Sequence, residues 1–188
     1  MATAATEHYR VTAADFLAII WDDSDMKAEL DNGVIRMMGG GTAAHSRVQG
    51  NIFAALLTKL RGSGCSPYTS DMAVRTHDLG VRYPDVSVFC GKDGRENDRA
   101  LAFDDPKLIV EILSPTTRKK DVQVKLPEYR ALPSLAHIMY VDPDAETVRL
   151  LTRTSASAWN DAELQRGEDV ALPALGVTLT WDEIFGRR

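Results

Sequence analysis

One acidic side chain in the second half of the sequence lies in a setting that demands a compensating partner. Residues 107–113 read KLIVEIL, and strand alternation places Ile109, Glu111 and Leu113 on one face. The opposite face is apolar as well, which is typical of a central strand that is buried on both sides. Because an unpaired buried charge costs several kcal/mol, Glu111 requires a cation, a metal ion or protonation. The pattern leaves open whether the partner is a structural salt bridge or part of a functional site.

A second acid begins the preceding apolar segment, which reads YPDVSVFC over residues 83–90. Pro84 suits only the start of a strand because it has no amide hydrogen to donate, and Asp85 follows it. Taken alone, an acid at this point is often a turn or cap residue. Together with Glu111 on a neighbouring strand, Asp85 would offer the oxygen ligands that Mg²⁺ prefers. Such an ion activates water and stabilises charge on a phosphoryl group.

Several predicted elements have to position these acids. Thr12 caps a first helix over residues 13–20, and Asn32-Gly33 is typical of a type I′ turn inside a hairpin over residues 27–38. After three glycines, Thr42 caps a long helix that ends near Leu60. Further strands are predicted over residues 68–76, 85–90, 107–113, 135–141, 147–151 and 170–172, with helices over 121–131 and 181–185, a turn over 62–67 and a loop over 91–105.

This order of elements predicts an α/β (mixed α+β) fold, with a central mixed β-sheet, flanking helices and an N-terminal β-hairpin. We expect a single domain with a core over about residues 12–185. No segment of the 188 residues approaches the roughly 20 apolar residues of a transmembrane helix. Residues 1–10 have no apolar run typical of a secretory signal, so we expect no membrane association.

The two cysteines indicate an ordinary intracellular chain. Cys65 and Cys90 form neither a CxxC pair nor a zinc-binding spacing, and we expect both to be filler in the core or at the surface. A reducing cytoplasm is then the simplest compartment.

Positive charge is concentrated in one segment of an acidic protein. The net charge of −5 argues against a broad basic binding face. Residues 114–130 nevertheless carry five bases and two acids, a net charge of +3, which leaves −8 for the rest of the chain. A solvated helix face and a local contact surface for a polyanion both explain this pattern. The five bases are Arg118, Lys119, Lys120, Lys125 and Arg130.

The order of these motifs resembles the PD-(D/E)XK nuclease superfamily, because Pro-Asp is followed about 25 residues later by an acid in an apolar strand. More closely, the chain is similar to the Uma-type family of restriction endonuclease-like proteins. The similarity covers most of the chain, from about Asp15 to Phe185. The matching segments are KAELDNGVIRMM, GGTAAHSRVQGNIFAALL, YPDVSVFC, KLIVEILSPTTRKKDVQVKLPEYR and HIMYVDPDAETVRLL.

The resemblance implies a restriction endonuclease-like fold, a bound Mg²⁺ or Mn²⁺ ion, and hydrolysis of nucleic acid, DNA in the first place, by a metal-activated water. Asp85 and Glu111 match the metal-binding carboxylates of the family. Ile112 matches the position whose backbone carbonyl completes the metal shell in similar nucleases. The superfamily's lysine two residues beyond the acid is absent, since that position is Leu113, and Lys125 matches the place in the following helix from which the family supplies it.

By the same resemblance, Lys125 would orient the attacking water and stabilise charge in the transition state. Lys119 and Lys120 are alternatives for this role, and Pro127 either begins or kinks the helix that carries Lys125. Glu29 matches an acid before the first hairpin turn, where it would join the metal shell or hold Lys125. An ordinary surface glutamate is the alternative.

Two further residues occupy places similar to those in the family. His45 follows the glycine run in the first turns of the long helix, and it is either a supporting residue of the site or a structural histidine. Arg130 belongs to the KxxxYR pattern and is a candidate phosphate contact, whereas the neighbouring Tyr129 is expected to pack in the core.

Three interpretations of the function remain open at this level. The first is an active metal-dependent endonuclease. The second is a catalytically inactive nucleic-acid-binding or assembly module of the same fold, which the displaced lysine and the acidic net charge favour. The third is hydrolysis of a phosphate ester other than nucleic acid. From the superfamily resemblance and the need to address a duplex, we expect a homodimer.

Overall fold

The structure is a computed structural model that describes residues 10–22, 27–92, 94–114 and 121–186. No helix within these ranges is long and apolar enough to cross a membrane. The helices are α1 (Ala13–Asp22), α2 (Ala43–Lys59), α3 (Leu126–Ala131) and α4 (Trp181–Phe185), with a π-helical turn (Asp121–Lys125) before α3 and short 3-10 turns at Arg95–Asn97 and Pro173–Leu175. The strands are β1 (Ala28–Asp31), β2 (Val34–Met37), β3 (Cys65–Thr69), β4 (Ala73–His77), β5 (Gly80–Arg82), β6 (Val86–Cys90), β7 (Ala102–Phe103), β8 (Leu108–Ile112), β9 (His137–Asp142), β10 (Thr147–Arg153), β11 (Trp159–Leu164), β12 (Val170–Leu172) and β13 (Val177–Leu179).

Six strands form the larger sheet, in the order β11-β10-β9-β8-β6-β3. Strands β8 and β9 run parallel, and the other neighbouring pairs are antiparallel. The expected mixed sheet is therefore present. Strand β8 lies between β9 and β6 and all five of its residues are buried, so the central strand predicted from KLIVEIL is confirmed.

Strand β8 separates two apolar cores, as its alternation predicted. Val110 and Ile112 belong to the core that contains α2 and α4. Ile109 belongs to a second core on the opposite face, together with Phe89 of β6 and Tyr129 of α3. Strand β8 thus contributes side chains to the cores on both faces of the sheet, as expected for a central strand that is buried on both sides.

A second sheet of five strands has the order β2-β1-β5-β4-β7. The predicted hairpin is confirmed, since β1 and β2 pair across Asn32 and Gly33, whose φ angles of 49° and 81° are those that a type I′ turn requires. Helix α1 covers this sheet with Phe16 in a third apolar cluster. Thr12 caps α1 as predicted, because its Oγ1 accepts the Asp15 amide hydrogen.

Several expectations about the strands are wrong. Residues 68–76 do not form one strand, because β3 ends at Thr69, the chain turns at residues 70–72, and β4 begins in the other sheet. Pro67 lies inside β3 rather than in a turn, which an edge strand tolerates since its outer amide has no partner to bond. The expected loop over residues 91–105 contains β7, and β5, β11 and β13 were not predicted. These strands are short or polar, so they have no clear apolar alternation.

Cys65 and Cys90 form a disulfide, which corrects the expectation that both are filler. In the antiparallel pairing of β3 with β6, the two residues lie directly opposite each other. The pairing depends on the register of two strands, and the spacing of the cysteines in the sequence does not show it.

Candidate active site

A cavity of about 580 Å³ opens where the chain crosses between the two large sheets. One crossing, at residues 70–72, joins β3 to β4, and the other, from Tyr83 to Asp85, joins β5 to β6. Residues of both crossings line the cavity. Six residues that were singled out in the sequence also line it, namely Glu29, His45, Asp85, Glu111, Ile112 and Lys125.

The acid pair at the centre of this site is positioned by strand register. Strands β6 and β8 pair Ser87 with Ile109 and Val86 with Val110, so Asp85, directly before β6, lies at the end of β8 that carries Glu111. Asp85 is fixed further, because its Oδ2 accepts the amide hydrogen of Ile112 at 2.7 Å.

Glu111 has the compensating partners that its buried strand position demanded. Its side chain is only 5% exposed, and the Lys125 Nζ lies 3.0 Å from Glu111 Oε1. The Tyr129 hydroxyl donates to the same oxygen at 2.5 Å. Burial, together with the Glu111 and Glu29 carboxylates, raises the pKa of Tyr129 well above its ordinary value, so the phenol stays protonated and remains a donor.

Lys125 reaches the acid pair from the turn before α3. It ends the π-helical turn, and Pro127 lies in the first turn of the helix, where a missing amide hydrogen is tolerated. Pro127 therefore lies in the first turn of α3, and Lys125 still reaches Glu111. The Lys125 Nζ also lies 2.9 Å from Glu29 Oε1 of β1, and both side chains are almost completely buried. Glu29 thus contacts Lys125 and is no surface residue.

The first turns of α2 also contact Asp85. Thr42 caps the helix as predicted, with its Oγ1 accepting the His45 amide hydrogen. The His45 Nε2 lies 3.2 Å from Asp85 Oδ1. Gly41 leaves room for the imidazole, since a Cβ at that position would lie 2.8 Å from His45 Nδ1. Gln49 of the same helix donates to the Asp85 backbone carbonyl at 2.8 Å.

Arg130, the other candidate within the described residues, lies away from the cavity. Arg130 is directed toward β11, where its Nη2 lies 3.7 Å from Asp161 Oδ2, and it is not among the residues that line the cavity. Lys119 and Lys120 lie outside the described residues, as does Arg118. The two described bases of this segment, Lys125 and Arg130, are each engaged with carboxylates.

Sequence reasoning missed the contacts that three residues make with the predicted site residues, namely Gln49, Arg82 and Tyr129. Arg82 is completely buried and makes ion pairs with Glu29, Asp31 and Glu128. Tyr129 was expected to pack in the core, which it does, but it also bonds Glu111. Nearness in sequence to the Pro-Asp motif was the one signal for Arg82.

The cavity carries an excess of negative charge. Among the described residues, four carboxylates line it (Glu29, Asp71, Asp85 and Glu111) against two lysines (Lys27 and Lys125). No group of three or more His, Cys, Asp and Glu side chains arranged to hold a metal ion is found in the described part of the chain.

Comparison with solved structures defines the class of the fold. The chain superposes on the crystal structure of "a putative nuclease belonging to DUF820" from Anabaena variabilis with a TM-score of 0.69, at 19% sequence identity, over 86% of this chain and 90% of that chain. At this level of identity the likeness concerns the fold, and it confirms the predicted restriction endonuclease-like α+β architecture.

Comparison of sequences then gives the family. The model of the Uma2 family, described as "Putative restriction endonuclease", matches residues 13–182. The chain belongs to this family, as its motifs predicted. Two relatives from Synechocystis sp. are described as uncharacterized proteins. One is 26% identical over 88% of this chain and 87% of its own length, and the other is 26% identical over 86% and 91%.

Proposed function

We propose that the protein is a metal-dependent endonuclease that hydrolyses phosphodiester bonds of nucleic acid, DNA in the first place. The observation that carries this proposal is that Asp85, Glu111 and Lys125 line one cavity, with the Lys125 ammonium 3.0 Å from the glutamate and the Asp85 carboxylate bonded to the amide of Ile112. Two acids and a lysine are the groups that the nuclease superfamily uses. Family membership and the fold support the same activity.

The residues of the cavity fit a hard divalent cation. Mg²⁺ is usually held by one or two carboxylates together with water and substrate phosphate, so an acid pair is a sufficient donor set. Four carboxylates against two lysines around the cavity also favour a cation. Asp85, Glu111 and the Ile112 carbonyl would hold Mg²⁺ or Mn²⁺, and such an ion supplies a nucleophilic water and stabilises charge on the phosphate.

Neighbouring backbone and side-chain groups hold the carboxylates of Asp85 and Glu111 and the ammonium of Lys125 in place. The Ile112 amide holds Asp85 through Oδ2, and the Tyr129 hydroxyl holds Glu111 through Oε1. Glu29 and Glu111 together keep the Lys125 ammonium at the cavity wall. From this place Lys125 donates to the negative charge that grows on the phosphate in the transition state, where a preorganised donor is most effective.

A catalytically inactive nucleic-acid-binding or assembly module is the second candidate. One observation favours it, namely that Lys125 and Tyr129 already compensate the buried Glu111 charge. A buried ion pair of this kind also occurs as a purely structural feature. The two candidates differ in one measurable property, which is hydrolysis.

The test is a cleavage assay with purified protein, Mg²⁺ or Mn²⁺, and single- and double-stranded DNA and RNA. We expect cleavage by the wild type, and its loss in Asp85→Ala and Glu111→Ala. Leu57→Ala is the matched control, because this side chain is 47% exposed on α2 away from the acids. Salt-dependent binding of DNA without cleavage by any variant would establish the inactive module instead. Cleavage at equal rates in all four proteins would rule out the proposed site.

Two further parts of the proposal concern the state of the protein in the cell. A homodimer would allow two sites to address both strands of a duplex, and light scattering of the purified protein tests it. For a cytoplasmic location, the redox state of Cys65 and Cys90 in intact cells is informative, because a reducing compartment keeps thiols free. Trapped free thiols would support the cytoplasm, and a trapped disulfide would oppose it.

A further inference from the structure

A completely buried arginine connects the five-stranded sheet with the elements of the proposed site. Arg82 ends β5, and its side chain has no exposed surface. Its Nη2 and Nε donate to the two oxygens of Glu128 at 2.6 and 2.8 Å. The same guanidinium donates to Asp31 Oδ1 at 3.0 Å and to Glu29 Oε2 at 3.4 Å. One side chain therefore joins three carboxylates.

Two of these carboxylates lead directly to Lys125. Glu29 contacts Arg82 through Oε2 and Lys125 through Oε1, so it bridges the two cations. Glu128 lies in the first turn of α3, three residues after Lys125. Its bidentate pairing with Arg82 fixes the position of this turn, because a planar fork bound to a carboxylate restricts orientation as well as distance.

The charge of Arg82 is maintained inside the protein. Burial alone disfavours the charged form, but the hydrogen bonds and charge of Glu128 and the charge of Glu29 outweigh it and raise the pKa of Arg82. Arg82 is not among the residues that line the cavity, so it has no direct route to a substrate. Any effect of Arg82 on the reaction has to pass through its carboxylate partners.

We propose that Arg82 is a positioning residue, which holds Glu29 and the first turn of α3 so that the Lys125 ammonium stays beside Glu111. This inference rests on the proposed function, since it gives Lys125 a task in hydrolysis. Lysine keeps the charge of arginine but has no planar fork, so Arg82→Lys separates positioning from charge. Asp31→Asn is the matched control, because it removes the charge of one carboxylate partner of Arg82 and leaves Glu29 and Glu128 in place.

The first experiment compares the kinetics of DNA cleavage. We expect Arg82→Lys to lower kcat by about 10- to 100-fold, because small displacements of a catalytic group have effects of that order. The KM for DNA and the affinity for Mn²⁺ should stay within about twofold of wild type, as the acid pair itself is unchanged. Asp31→Asn should change kcat by less than about threefold. Equal effects of the two variants, or no effect of Arg82→Lys on kcat, would overturn the proposal.

A second experiment does not depend on activity. Brief labelling with an amine-reactive reagent, followed by peptide mass spectrometry, reports the accessibility of Lys125, whose side chain is 6% exposed. We expect Lys125 to be labelled several-fold faster in Arg82→Lys and in Glu29→Gln than in the wild type or in Asp31→Asn. Unchanged labelling of Lys125 in Arg82→Lys would overturn the positioning role even if the wild type proves inactive as a nuclease.

Circular dichroism shows whether each variant is folded before these comparisons are made. If Arg82→Lys does not fold, Glu128→Gln takes its place, because it keeps Arg82 and weakens the bidentate pairing. The same results are then required of Glu128→Gln, namely a lower kcat and faster labelling of Lys125. A wild type that does not cleave, together with faster labelling in the variants, would refute the proposed function and leave the structural role of Arg82 intact.

Discussion

The two faces of strand β8 both pack against apolar cores, but only one of them buries a charged side chain. Toward α2 and α4 the strand contributes Val110 and Ile112 to an entirely apolar core. Toward α3 the same strand carries Glu111, which is bonded to Lys125 and Tyr129. The difference teaches that apolar packing lies on both sides of five consecutive residues, whereas the proposed chemistry of Glu111 lies on one side.

The energetics of the two faces differ in the same way. A fully buried aliphatic side chain contributes about 1.5–3 kcal/mol relative to an exposed one, and neighbouring apolar groups tolerate small changes in shape. A buried ion pair is often no more stabilising than a hydrophobic pair of similar size, yet the loss of one partner is costly. The Glu111 cluster is thus a poor device for stability, which agrees with a role in function.

The largest expected effect comes from removing the ammonium group on the charged side. In Lys125→Met, a side chain of similar length stays in place without a charge, and we expect kcat to fall by about 100-fold or more. Binding of Mn²⁺ should persist, because Asp85 and Glu111 remain. Cleavage rates are measured under conditions where circular dichroism shows the variant to be folded.

Lys59→Met is the control for this change. Lys59 lies on α2, where its Nζ is 3.0 Å from Glu183 Oε1, remote from the acid pair. It should retain the cleavage rate of the wild type. A rate for Lys125→Met within about threefold of the wild type would remove this lysine from the proposed chemistry.

The next effect concerns the core on the α2 side of β8. The empty space left by truncating a buried side chain there should lower stability without changing the cleavage rate. Ile52 of α2 is completely buried, and Ile52→Ala should lower the free energy of unfolding by about 2–5 kcal/mol. The folded fraction should cleave at the rate of the wild type. Urea unfolding and cleavage at low temperature measure the two properties. A loss of kcat as large as in Lys125→Met would show that the two faces are not separate.

A pH effect on stability is expected from His137, at the start of β9. Its ring accepts the Ala174 amide hydrogen at Nε2 and meets Thr152 Oγ1 at Nδ1. Burial lowers the pKa of His137 from 6.5 to about 4. Between these values the unfolded chain binds a proton that the folded chain does not. The contribution of His137 to stability is therefore constant above pH 6.5 and falls as the pH decreases toward 4, by at most about 3 kcal/mol.

The contribution of His137 is separated from that of the carboxylates by a variant. Urea unfolding of the wild type and of His137→Gln is compared at pH 7.5 and pH 5. The wild type should lose more stability than the variant over this interval. Equal losses would mean that His137 is not kept neutral by the fold.

The smallest expected effect concerns the N-terminus of α2, a helix that packs in the apolar core and also contacts Asp85 through His45. Thr42→Ala removes the acceptor of the His45 amide hydrogen and should lower the free energy of unfolding by about 1 kcal/mol. Hydrogen exchange at the His45 amide should accelerate, whereas Thr42→Ser should behave like the wild type. Equal exchange in Thr42→Ala and the wild type would contradict the capping role.

The elements with a strong local pattern were predictable. The alternation of KLIVEIL gave a buried central strand and a demand for a partner of Glu111, and both are present. The Asn32-Gly33 turn and the Thr42 cap depend on one or two residues, so the sequence alone indicated them. The fold class and the family are confirmed, while the catalytic roles of the site residues stay predictions.

The contacts between the residues of the site could not be predicted from local sequence patterns. The sequence left Lys119, Lys120 and Lys125 as alternatives for the catalytic lysine, and the contact of Lys125 with Glu111 depends on a π-helical turn. Arg82 lies in a strand of three residues, too short for a periodicity, and its partners are 46 to 53 residues away. The Cys65–Cys90 disulfide likewise depends on strand register, which a sequence without its sheet does not reveal.

The most direct test of the central claim is a calorimetric titration with Mn²⁺ of the wild type, Asp85→Asn and Glu111→Gln. These substitutions keep the shape of each side chain and remove one carboxylate at a time. We expect saturable binding in the wild type and an affinity at least about 100-fold lower in either variant, because each substitution removes the negative charge of one of only two carboxylate ligands. Equal Mn²⁺ binding by all three proteins would contradict the assignment of Asp85 and Glu111 as the metal-binding pair.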